Sequence, residues 1–344
     1  MIDAFDIELL NTGDPDGLDD IGRFNLHNVR EALSHGLRCW GALLFRRPRA
    51  VYVPIDRAFW GFLRDLLFLV PARLLGISVV IHLRAGRFDL IHDFGARGRL
   101  LARIGLGTAR RAIVLGSTVR DVFGDYVPAG RIAVVPNGID ITGWPSPGRK
   151  AATGEGSFHI VYLANLFRDK GAHIMLGALP AIISRVPNVR VSFAGKWIDT
   201  EFRKECELMI AENGLERHVE FLGVVGGDDK RRLLESADLV AFVPVKPEGS
   251  PWVVLEAMAS ARPVIGTPQG TMKEVILDGV TGYLIAPGDT AALADRVAAL
   301  AKEPELRARL GEQGRSRLEA IYSETASHRK LAEVLLEAMG SGTN

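Results

Sequence analysis

Glu248 and Glu256 stand eight positions apart in the stretch Glu248-Gly249-Ser250-Pro251-Trp252-Val253-Val254-Leu255-Glu256. Carboxylates accept hydrogen bonds from hydroxyl groups, so a pair at this spacing suits a ligand rich in hydroxyls, such as a sugar or ribose. Pro251 suits the first turn of a helix, where its missing N–H leaves nothing unpaired. The N–H groups that follow, with the helix dipole, favour a phosphate. Lys170, placed before Gly171, adds a cation for the same charge. The plain alternative for each is a solvated surface charge.

Positioning such a site calls for a strand before it and another after it. Ala237 to Pro244 reads as a buried strand ended by proline, and Arg262-Pro263-Val264-Ile265-Gly266-Thr267 as the next one. The carboxylates then lie at a strand-to-helix turn, where α/β sheets bind ligands. Strand and helix signals alternate on both sides, which predicts parallel sheets. The early strands fall at Ile7–Leu10, Ala50–Pro54, Gly76–His82, Ala112–Gly116 and Arg131–Pro136. The later ones start at Phe158, Val189, Val219 and Gly282. A helix from Asn25 to Leu44 breaks at Gly36, and Ser117 caps a helix carrying Val119, Val122 and Phe123. Thr290–Leu300 and Pro304–Ile321 are amphipathic helices. A final helix opens at Ser323 and carries Leu331, Val334, Leu335 and Met339 as one apolar stripe that has to be buried on the N-terminal half.

At 344 residues and 47% apolar content the chain suits two packed domains. Residues 1–149 hold nineteen arginines, no lysine and fifteen acids; the first lysine is Lys150. That shift, with the Gly/Pro-rich run at 143–157, marks a linker. The reading is an N-terminal domain at 1–142, a linker at 143–157, a C-terminal domain at 158–322 and a closing helix at 323–344. A net charge of +1 and the lack of a basic tract with interleaved aromatics exclude nucleic acid as a partner. Cys39 and Cys206 are isolated, which fits a reducing compartment and no disulfide framework. The acidic start, Met1-Ile2-Asp3-Ala4-Phe5-Asp6, is no signal peptide. Ala58–Val70 is the most apolar stretch, yet Arg64 and Asp65 interrupt it, so it is too short and too charged to span a bilayer. It reads as a core-packed helix, with a membrane-surface helix as the alternative.

These motifs together resemble the retaining glycosyltransferases of the GT-B fold, family 4 in particular. Glu248 to Glu256 matches the family's Glu-x7-Glu motif. Asn137-Gly138-Ile139-Asp140 resembles its domain-boundary signature, and Lys170-Gly171 its diphosphate-binding pair. Gly270 to Ile276 and Asp278 to Leu284 match segments after the second Glu. The similarity is strong over residues 110–340 and loose before. It implies two Rossmann-like doubly wound domains facing a cleft. The family's first strand, glycine-rich loop and helix have no counterpart here, so the first N-terminal strand-loop unit is expected to be missing.

The resemblance implies transfer of a sugar from a nucleotide donor, such as a UDP- or GDP-sugar, to a hydroxyl of a polysaccharide or lipid-linked glycan. Glu256 would hold the ribose and Glu248 the transferred sugar, with Lys170 and the backbone of Gly249, Ser250, Pro251, Trp252 and Val253 at the phosphates. Asn165 stands where the family often carries an arginine, and Arg168 is the candidate substitute. His82 and Arg84 are the N-terminal catalytic candidates, Arg84 occupying the place of the family's active-site His; a packed His82 is the plain alternative. No clustered Asp-x-Asp or His-rich set implies a metal, so no cofactor is expected. The setting is cytoplasmic, at the inner face of a membrane if the N-terminal half contacts one. Two other readings stand beside the enzyme: a degenerate chain that binds nucleotide sugar without turnover, and a sugar-nucleotide epimerase, which fits the Glu-x7-Glu context poorly.

Overall fold

The computed structural model of the chain describes residues 5–11, 26–144 and 156–340, and side chains from Arg30 onward in the first helix. Most of the expected linker, 145–155, lies outside these residues, as does Asn25. The chain divides into two units, Met1–Pro136 with Ser327–Asn344, and Asn137–Ala326. The crossings thus fall at Pro136 and Ser327, against the expected 142 and 323.

In the first unit, helix α1 (Leu26–Arg46) precedes β1 (Ala50–Ile55), α2 (Phe59–Leu74), β2 (Ser78–Leu83), α3 (Asp89–Asp93), α4 (Gly95–Gly107), β3 (Arg111–Val114) and β4 (Ile132–Val134). The four strands form one parallel sheet in sequential order. Alternation sends Val53, Ile55, Val79, Ile81, Ala112 and Val114 to one face, where they join Cys39, Leu43, Phe62, Leu69, Ala102 and Leu106 from the helices.

Three local expectations need correction. Ile7–Leu10 forms no strand; Ile7 and Leu9 are exposed, and the sheet order begins at β1. Helix α1 runs through Gly36 unbroken. A Cβ there would stand 3.4 Å from Leu67 of α2, so the glycine admits a close helix approach, and one interior glycine costs only about 1 kcal/mol. Ser117 is not an N-cap: Gly116 precedes a stretch of 3₁₀ turns, Ser117–Tyr126, in which Val119 and Gly124 leave helical geometry. The apolar stretch Ala58–Val70 forms most of α2, which continues through Pro71 to Leu74 with Phe62, Phe68, Leu69 and Ala72 buried; this is a core-packed helix.

The second unit contains β5 (Phe158–Leu163), α5 (Ala172–Ile183), β6 (Val189–Ala194), α6 (Thr200–Glu212), β7 (Val219–Gly223), α7 (Gly227–Ser236), β8 (Leu239–Phe242), α8 (Trp252–Ala259), β9 (Val264–Gly266), α9 (Met272–Val275), β10 (Gly282–Leu284), α10 (Thr290–Lys302) and α11 (Pro304–Arg317). Its six parallel strands run in the order β10-β9-β8-β5-β6-β7. Ile160 and Tyr162 of β5 face one core layer, with α5 and α10, and Val161 faces the other, with α7 and α8. Helices on both faces make this a doubly wound sheet. After α11 a π-helical turn, Leu318–Tyr322, leads into α12 (Glu324–Ala338). Leu331, Val334, Leu335 and Ala338 of α12 pack on Tyr52, Val80, Ile113, Ala133 and Val135, the second face of the first unit's sheet. Ser327 Oγ donates to Pro136 O at 2.8 Å beside it. The architecture is α/β with two parallel-sheet units.

Candidate functional site

The strand order of the second unit reverses between β5 and β8, neighbours in the sheet but separated in sequence by two further strands. Loops leaving the carboxyl ends of such a pair diverge and leave a crevice. Lys170 comes from the loop after β5 and Glu248 from the loop after β8. Lys170 Nζ donates to Glu248 Oε1 at 2.6 Å, and both side chains are largely buried. The Phe167 and Phe242 rings lie 5.4 and 5.9 Å from the ammonium, adding cation–π attraction.

Backbone geometry forces this meeting. Gly171 has φ +86°, and a Cβ there would fall 2.1 Å from Val243 O. Only glycine lets the Lys170 turn lie against the end of β8. Val245 N donates to Asp169 O at 2.9 Å, and the fully buried Tyr162 hydroxyl donates to Lys170 O. On the other side Gly270, φ +59°, would drive a Cβ to 1.8 Å from Glu248 O. Thr271 then donates its hydroxyl to Gly249 O and its N–H to Glu248 O, the latter at 3.3 Å. Asn137 Nδ2 donates to Ser250 O at 3.0 Å. The Glu248–Ser250 turn is held from three directions.

Helix α8 starts one residue later than Pro251, which is its N-cap with extended geometry. Its first N–H groups, those of Trp252 and Val253 among them, have no acceptor within the helix. No acidic side chain occupies the first turn, so the dipole's positive end is left for an external anion. Gly249, Ser250 and Val253 are buried, and Trp252 is 44% exposed. Ser250 Oγ is buried with no hydrogen-bond partner among the described residues. The far end of α8 is fixed by Arg315, whose Nη1 donates to Ala259 O at 2.5 Å.

Glu256 is no solvated helix residue: it is buried among Val253–Ala259, and Lys230 Nζ meets its Oε1 at 2.5 Å. A carboxylate this buried requires a partner. Lys230 is the candidate site residue that sequence reasoning missed. It lies in the first turn of α7, after Gly226-Gly227-Asp228-Asp229. A cation there opposes the helix dipole, and that local misfit was the available signal. Tyr162, which holds Lys170's carbonyl, was also missed.

Arg168 pairs with Glu205 and lies over the Phe202 ring at 5.2 Å. In the structure without ligand it is engaged by α6, through an ion pair that is largely exposed. Asn165 is exposed, in the loop between the bonds Ala164 N to Ala194 O and Leu166 N to Lys196 O. Among the described residues no group of three His, Cys, Asp or Glu could hold a metal ion.

His82 and Arg84 belong to the first unit. His82, opposite Pro54 in the ladder, is buried, and its Nδ1 shares a 2.5 Å hydrogen bond with the Tyr52 hydroxyl. Its Nε2 is buried without a partner among the described residues. Burial, and secondly the charge of Arg84, lower its pKa to about 3, so the imidazole is neutral. Its burial and its Tyr52 contact are those of a packed histidine. Arg84 is exposed in the loop after β2, and Arg87 pairs with Asp89 and Asp93 at 3.2 and 2.6 Å.

Residues 149–317 match the family Glycosyl transferases group 1. The chain is 28% identical over 229 residues to a glycogen synthase of Mycobacterium tuberculosis, an alignment covering 65% of this chain and 52% of that protein. It is 29% identical over 176 residues to a phosphatidyl-myo-inositol mannosyltransferase of Mycobacterium leprae, covering 51% and 46%. The chain thus spans about half the length of these curated relatives. The solved structure of Anabaena Alr3699/HepE in complex with UDP superposes with a TM-score of 0.75 at 20% identity, over 88% of this chain and 82% of that one. At that identity the likeness is one of fold. The matched segment of the group 1 family contains Lys170, Lys230, Glu248 and Glu256.

Proposed function

We propose that this chain is a retaining, family 4-type glycosyltransferase that moves a hexose from a nucleotide sugar to a hydroxyl of a polysaccharide or lipid-linked glycan. The observation that carries the reading is the Lys170–Glu248 pair at the strand-order reversal, 2.6 Å apart, with the Lys230–Glu256 pair and the open end of α8 in the same unit. Two carboxylates accept hydroxyls of ribose and sugar. Lys170 and the α8 N–H groups meet the diphosphate. Stabilising charge on that leaving group, and holding the acceptor in line, is the main task of such an enzyme. The family match and the UDP complex of a structural neighbour support a nucleotide-sugar donor, with UDP-sugars first to test.

The test is a donor panel of UDP- and GDP-sugars, reading nucleoside diphosphate release with and without glycan acceptors. The anomeric configuration of any product is assigned by NMR. Release of nucleoside diphosphate with a retained anomer supports the proposal. Tight donor binding with no release on any acceptor replaces it with a binding protein.

A further inference from the structure

Two buried threonines from the loop after β9 hold the loop after β8 at both ends. Thr267 Oγ1 donates to Pro244 O at 2.6 Å, and Thr271 Oγ1 donates to Gly249 O. The Thr271 N–H donates to Glu248 O at 3.3 Å. Thr271 also stands at the N-cap of α9, where a threonine hydroxyl ordinarily accepts an N–H of the first turn. Here its side chain makes no capping bond. The hydroxyl is spent instead on a carbonyl 22 residues away. Departures of this kind from local preference are expected at functional sites.

The two Thr271 bonds fix which way the peptide units turn. Among the described residues no peptide bond is cis, and in a trans unit the C=O and the N–H point in opposite directions. Glu248 O and Gly249 O both face Thr271, so the N–H groups of Gly249 and Ser250, on those same two units, face away from it. Both residues are buried, and neither N–H has an acceptor among the described residues. Buried N–H groups without partners are rare. Ser250 Oγ, buried and equally unpartnered, lies on the same turn, and the ammonium of Lys170 reaches it at Glu248. Consecutive N–H donors left open beside a cation suit an anionic oxygen.

We propose, resting on the reading of the chain as a nucleotide-sugar enzyme, that Thr271 is a positioning residue for the donor: it turns the Gly249 and Ser250 N–H groups toward the diphosphate oxygens. Thr271 touches no substrate in this role and acts through the two peptide units. Valine in its place fills the same space but donates nothing. Gly249 O is then buried without a partner, and its peptide unit rotates to find one. The Ser250 N–H turns with it. Serine keeps the hydroxyl and the bond.

Calorimetry on the full chain with UDP and GDP, each set against its own nucleoside, is the test. The parent is expected to bind one diphosphate more tightly than its nucleoside. Thr271→Val narrows that preference by about tenfold, the size of one hydrogen bond to a charged group, and Thr271→Ser restores it. Thr281→Val is the matched control: Thr281 Oγ1 is buried and accepts from Leu277 N at 2.9 Å, so this variant lowers the melting temperature and keeps the preference. A readout on the parent needs no variant: the diphosphate shifts the Gly249 and Ser250 amide protons downfield in NMR. Equal weakening of diphosphate and nucleoside by Thr271→Val, the same narrowing by Thr281→Val, or no restoration by serine gives Thr271 a structural role only and overturns the proposal. So does a Thr271→Val variant that binds like the parent, or a pair of amide protons that the diphosphate leaves in place. A parent that binds diphosphate no better than nucleoside overturns the donor reading and the proposal together.

Discussion

Lys170 and Glu248 lie 78 residues apart in the chain and 2.6 Å apart in the structure. Without ligand each satisfies the other. In the proposed function a bound diphosphate would draw Lys170 toward its own charge and release Glu248 to accept a sugar hydroxyl. On the proposed function, ligand binding at this site is an exchange of partners, with Glu248 oriented by Lys170 until the donor arrives.

That exchange predicts a split between ligands. Lys170→Ala weakens UDP by roughly tenfold to 150-fold, the range for a charge-assisted hydrogen bond, and leaves uridine nearly unchanged. Glu248→Ala spares UDP and slows the sugar-dependent step. Calorimetry with both ligands checks this; equal losses for uridine and UDP would place Lys170 away from the phosphates.

The Lys230–Glu256 pair carries a second expectation. Glu256→Ala removes the acceptor for ribose and weakens UDP and uridine alike, by about tenfold or more. Lys230→Met leaves a buried carboxylate without its cation and destabilises the fold by about 1–3 kcal/mol, less than for a fully buried pair because Lys230 is 29% exposed. The double variant Lys230→Met/Glu256→Gln recovers part of that stability in denaturant unfolding. Strictly additive losses contradict the pairing.

Gly270 is the sharpest steric constraint at the site. Gly270→Ala places a methyl group 1.8 Å from Glu248 O at a left-handed backbone angle, so the loop has to move. The cost is about 2 kcal/mol or more, and UDP binding falls with it. Gly107→Ala, where nothing lies within 4 Å of the added carbon, is the control and is neutral or mildly stabilising by helix propensity.

His82 predicts a pH dependence of stability. Its folded pKa is lowered to about 3 from an ordinary 6.5. Between those values the unfolded chain binds a proton that the folded chain does not, so its share of stability is fully present above pH 6.5 and is lost as pH falls. In His82→Asn the drop in unfolding free energy between pH 7 and 4.5 is smaller than in the parent by about 2–3 kcal/mol. Urea titrations at the two pH values measure it. An unchanged drop means that His82 titrates normally in the fold.

Periodicity, composition and motif spacing sufficed for the local facts. β5 spans the residues read from its apolar run. Leu331, Val334 and Leu335 form the stripe read from their spacing, and Glu256 lies in the second turn of the helix read after Pro251. Such features depend on residues a few positions apart, whose chemistry is visible in the chain itself. Where neighbours in space decided, the sequence was silent or misleading. Ile7–Leu10 has strand composition but no strand to pair with. Gly36 reads as a break but serves as a contact surface for Leu67. That Glu205 and Phe202 from α6 engage Arg168 could not be read from its loop position. Lys230 meets Glu256 only because α7 and α8 are packed side by side. The adjacency of β5 and β8 brings Lys170 to Glu248, and it follows from the order of strands in the sheet. Strand order is set by which apolar faces bury best together, a property of the whole domain that no window of sequence contains.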